Sequence, residues 1–68
     1  MAKLTQGSKI RGSDGCGVFF HKGAFVVEHH RAMWDQDSVV ILWRSEPCQS
    51  REEATELVRQ YRTRYSNE

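Results

Sequence analysis

Long apolar runs are missing from this 68-residue chain; the longest covers residues 39–43 only. A membrane-crossing helix needs about 20 such residues, so the sequence offers none. The first residues also lack the apolar core of a secretory signal, and a cytoplasmic location is the expectation. No excess of one charge exists either, with 10 basic residues against 9 acidic. The strongly basic footprint of an obvious nucleic-acid binder is therefore absent. Cysteine occurs only at positions 16 and 48, without the close Cys-x-x-Cys pairs of structural zinc sites. In a reducing compartment Cys16 and Cys48 are expected as free thiols. In an exported chain, a bridge between them would stabilise by about 3–4 kcal/mol. Proline occurs once, at Pro47, where it stops a strand.

What is present is a helix start placed directly after a strand. Ser50 can act as N-cap, and Glu53 stands at the capping-box spacing. Behind it Ala54, Leu57, Val58, Tyr61 and Tyr65 fall on one helical face. Ahead of it residues 17–21 and 24–30 read as strands joined by Lys22-Gly23, a tight-turn signal. Residues 31–37 read as a loop carrying Trp34, and 38–44 as a third, β-branched strand. The expected fold class is α+β: a small three-stranded antiparallel sheet packed on one C-terminal helix. Residues 1–16 are rich in Gly and Ser and hold Lys3, Lys9 and Arg11, so they read as a flexible basic arm. Residues 17–68 form the single domain.

The third strand is apolar on both faces. Strand alternation puts Val39, Ile41 and Trp43 on one side, Val40 and Leu42 on the other. One helix can cover only one face of such a sheet. With Phe25, Val27, Ile41, Trp43, Leu57, Val58 and Tyr61 assigned to the core, the opposite face carries Val26, Glu28, His30, Val40, Leu42 and Arg44. A chain of this length buries only about 60% of its unfolded surface, so an uncovered apolar patch points to a partner. Trp34, an aromatic residue in a polar loop, joins this set as a candidate binding anchor.

Other chemistries find little support. His29 and His30 are neighbours in a strand, point to opposite faces and cannot share one ion. The run from Gly12 to Gly17 lacks the Gly-Lys-Ser/Thr ending of a phosphate loop, and a strand follows it where a helix is needed. A Cys–His nucleophile pair has no orienting third group. The reading is of a chain that is not an enzyme, with no metal, cofactor or small-molecule substrate.

The order of three strands then a helix opened by Ser50-x-x-Glu53-Ala54 resembles the arm-type DNA-binding domains of tyrosine recombinases, over about residues 17–65. Those domains read DNA with the exposed sheet face through many Lys, Arg and Thr residues. The resemblance implies a nucleic-acid accessory protein; separately, the basic arm at Lys3, Lys9 and Arg11 and the basic helix end at Arg59, Arg62 and Arg64 are the candidate phosphate contacts. The face expected here differs, carrying Val26, Glu28, His30, Val40 and Leu42. The favoured expectation is therefore a non-catalytic protein-interaction module that dimerises with itself or regulates or inhibits a larger partner, as small proteins of phages and mobile elements do. Nucleic-acid binding is the alternative.

Overall fold

The computed structural model describes residue 4 and residues 6–66. Strands β1 (Gly15–His21), β2 (Ala24–Met33) and β3 (Ser38–Arg44) precede a helix, α1 (Arg51–Tyr65). The sheet is antiparallel in the order β1-β2-β3. This is the expected βββα arrangement. The β1–β2 turn holds both central residues at positive φ, Lys22 at 53° and Gly23 at 80°. That geometry matches the right-handed twist of the strands it joins. β2 runs on to Met33, beyond the expected end at His30, because Arg31, Ala32 and Met33 pair with Val40, Val39 and Ser38.

A β-bulge changes which side of β3 faces inward. His29 opposes Trp43, but the next residue, His30, opposes Ile41, so β3 carries one extra residue at Leu42. Opposed residues share a face. Trp43 therefore lies with His29 on the helix side, whereas Ile41 lies with His30 on the outer side. Val40, opposite Arg31, turns to the helix side. Ile41, expected in the core, is 47% exposed, and Val39 is 65% exposed. Val40 and Leu42, expected on the open face, are only half-buried. Strict alternation fails here because the inserted residue moves every earlier β3 side chain to the other face.

The helix begins where the sequence indicates. The Ser50 hydroxyl accepts from the Glu53 N–H at 3.1 Å. The Glu53 carboxylate accepts in turn from the Gln49 N–H at 2.9 Å. Replacing Ser50 by Ala is expected to cost about 1 kcal/mol. In so small a domain that should lower the melting temperature by several degrees, measurable by circular dichroism. Ala54, Leu57 and Tyr61 are buried, with Val58 and Tyr65 packed at the margin. α1 lies over β1 and β2. β3 reaches it through Trp43, whose ring stacks on Tyr61 at 4.4 Å. Val27, Cys48 and these residues make the core, with Phe25 against it.

Part of the segment expected as a flexible arm is tied to the domain. The Tyr65 hydroxyl accepts from the Gly7 N–H at 2.8 Å, and the Tyr65 carbonyl from the Ile10 N–H at 2.7 Å. Gly7 lies so close to the Tyr61 ring that a Cβ there would overlap it. Leu4 and Ile10 pack against the core. Lys3 lies outside the described residues.

Candidate functional site

Two arrangements stand out, one on each side of the sheet. On the helix side His29 is fully buried. Its Nε2 is 2.7 Å from Asp14 Oδ2, and its Nδ1 is 2.8 Å from the Tyr61 hydroxyl. Asp14 also accepts from the Arg31 guanidinium at 3.1 and 2.9 Å and from the Arg11 N–H at 3.0 Å. Arg31 beside it, with the Arg11 N–H and His29, holds the Asp14 carboxyl well below the usual carboxylate range, against the opposing effect of burial. An ionised carboxylate only accepts, so His29 donates from Nε2. The Tyr61 hydroxyl donates to the Ser8 carbonyl and accepts from the Ser8 N–H, both at 3.0 Å. The same hydroxyl thus joins His29 Nδ1 to the backbone of Ser8.

This Asp–His–Tyr set resembles acid–base machinery only in its residue types. The Asp14 and His29 side chains have no exposed surface, and every polar atom is taken by a neighbour. What the arrangement does is structural: it fastens residues 7–14 across α1 and β2. The sequence reading missed Asp14, which in a Gly/Ser stretch looks like an ordinary turn residue. One signal could have found it. His29 shares its strand face with Val27 and Phe25, and a buried histidine needs partners.

The outer side is the uncovered face. β1 presents Gly15 and Gly17 opposite His30 and Glu28, so no side chain stands there. The Phe19 ring leans into that gap and meets His30 at 4.7 Å. Glu28 accepts from Arg44 at 2.6 Å and lies 2.8 Å from His30 Nε2. Burial pushes the Glu28 carboxyl up, but His30 and Arg44 outweigh it and leave it below the usual range. Val26 and Glu28, expected as exposed contact residues, are 2% and 5% exposed. They sit on the central strand, where flanking side chains fold over them. Exposed apolar area comes instead from Phe19 at 40%, Trp34 at 80%, Val39 and Ile41. Trp34 borders a hollow of about 190 Å³ shared with Ala32, Met33, Asp37, Ser38 and Val39.

The basic candidates divide. Lys9 and Arg11 flank Ile10, which bridges to Ser66 just past α1. Arg62 and Arg64 of the last helical turn therefore share that corner, all four exposed. Arg62 also reaches the Cys16 carbonyl at 3.2 Å. Arg59 stands apart, paired with Glu56 along the helix.

Cys16 and Cys48 are free thiols, and burial pushes both up in pKa. Among the described residues no three His, Cys, Asp or Glu side chains converge as metal ligands, and no helix is long and apolar enough to cross a membrane. No family model, curated protein or solved structure matches the chain.

Proposed function

We propose that this chain is a non-catalytic protein-interaction module, which associates with itself or regulates or inhibits a larger partner. The observation behind this reading is the mismatch between one helix and a sheet with two apolar sides. α1 lies over β1 and β2 on one side, leaving Phe20 at the end of β1 exposed there, and Phe19, Val39, Ile41 and Trp34 also stay in water. Exposed apolar clusters of this kind mark contact surfaces. The working surface is therefore β3 with the adjoining outer face. Glu28, His30 and Arg44 form its fixed polar centre, a pattern of central ties and apolar surroundings that sets orientation more than affinity.

A second reading rests on the corner formed by Lys9, Arg11, Arg62 and Arg64, which supports phosphate contacts with a nucleic acid. One experiment separates the two: capture of partners from nuclease-treated lysate at low and moderate salt. Ile41→Lys is expected to abolish capture while moving monomer stability by no more than about 1 kcal/mol, because the site is half in water already. Lys9→Ala with Arg11→Ala and Arg64→Ala should leave capture unchanged. If the triple variant loses binding, the interaction fades steeply with salt and Ile41→Lys still binds, the nucleic-acid reading replaces the first.

A further inference from the structure

We propose that β3 pairs with β3 of a second copy, antiparallel about a two-fold axis through Val40, joining two three-stranded sheets into one. The inference rests on the interaction-module reading and names its partner.

β3 is an edge of the sheet, and α1 lies over the other two strands. Edge strands present a row of unpaired backbone groups, and monomers blunt them with Lys, Pro or covering segments. Residues 38–43 contain none of these charges or prolines. From Ser38 to Ile41 the strand follows an unbroken register along β2, with the bulge beyond it. The opposite edge is a poorer template: β1 carries Gly15 and Gly17, and its Cys16 carbonyl already accepts from Arg62.

The faces determine the register. Opposed residues of an antiparallel pair point to the same side. Val39 and Ile41 are on the outer face, Val40 on the helix side. An axis through Val40 sets Val39 of one copy against Ile41 of the other, and Val40 against itself. An axis through Ile41 would oppose outer Val39 to inner Trp43. An axis between residues would oppose Val39 to Val40. An axis through Val39 would place Ile41 against Asp37.

Charge selects the same arrangement. Asp35 and Asp37 lie just before β3, and neither side chain makes an ion pair among the described residues. Arg44 ends β3 with its Nε on Glu28 and its side chain still 37% exposed. Antiparallel pairing about that axis brings the Arg44 end of β3 in one copy to the Asp35 and Asp37 end of the other. Parallel pairing would instead bring like charges together.

The test is cross-linking at engineered positions, with sedimentation of the unmodified chain from micromolar to near-millimolar concentration. The unmodified chain should sediment as a dimer at the high end. Directly opposed Cα atoms lie about 4.5–5.5 Å apart, within reach of a disulfide. Under mild oxidation Val40→Cys should give a reducible covalent dimer as its main product. Val39→Cys alone and Ile41→Cys alone should not, but a mixture of those two chains should cross-link. Both of those sites are exposed, so that arm stands even if Val40→Cys folds poorly. A chain that stays monomeric at every concentration overturns the proposal, as does a dimer in which the mixture fails to cross-link. Partner capture by a strictly monomeric chain would remove this inference and leave the module reading intact. Loss of both would remove both.

Discussion

Tyr61→Ala is expected to leave the chain largely unfolded at room temperature. Tyr61 is fully buried, stacks on Trp43 and packs against His29 and Tyr65. Removing a buried aromatic ring costs about 3–5 kcal/mol. A 68-residue domain has a total stability of roughly 3–10 kcal/mol on per-residue scaling, so the loss takes most of it. Tyr61→Phe separates the ring from its hydroxyl. It keeps the stack but leaves Ser8 and His29 Nδ1 without their shared partner, at about 1–3 kcal/mol. Chemical denaturation followed by tryptophan fluorescence should rank wild type above Phe and Phe above Ala. An Ala variant with the wild-type midpoint would mean that Tyr61 does not hold the helix on the sheet.

Features of this fold carried by short stretches of chain were readable in the sequence, and those carried by distant pairs were not. Ser50, Glu53 and the apolar spacing from Ala54 to Tyr65 lie in one continuous segment, as do Lys22 and Gly23. Each acts through its neighbours, so each turned out where the residues placed it. The bulge at Leu42 depends on how β2 and β3 fit side by side, including the extended pairing out to Met33. Nothing in the run from Val39 to Trp43 marks it. The consequence for the candidate surface is large: Val39 and Ile41 replace Val40 and Leu42 as the exposed apolar pair, and Trp34, which its loop position left equally able to fold back over the core edge, stands exposed. Asp14, His29, Arg31 and Tyr61 come from three separate regions, and only the folded chain brings their side chains together.

Asp14→Ala is the second change with a large expected effect, and its action is local as well as global. The Asp14 side chain is fully buried, and it joins His29, Arg31 and the Arg11 N–H. Removing one member of a buried charge network costs about 3–5 kcal/mol, because the remaining charges lose their compensation. Arg31 is 21% exposed and recovers some hydration, which favours the lower end of that range. Amide exchange at Ser8 and Ile10 should accelerate more than exchange within α1, since Asp14 fastens that segment. The pH dependence follows from the direction of the shift. The folded carboxyl titrates below its unfolded value near 4, so its contribution is complete above about pH 5 and fades as acid protonates it. Glu28 adds a smaller effect of the same sign. Wild-type stability should therefore fall as the pH drops from about 5 toward 2. In Asp14→Asn, which keeps the shape and removes the titrating group, stability should start lower and fall less steeply. Equal slopes in the two proteins would show that the Asp14 carboxylate contributes no charge-dependent stability, and the fastening of residues 7–14 would have to be credited to Tyr61 and Tyr65 alone.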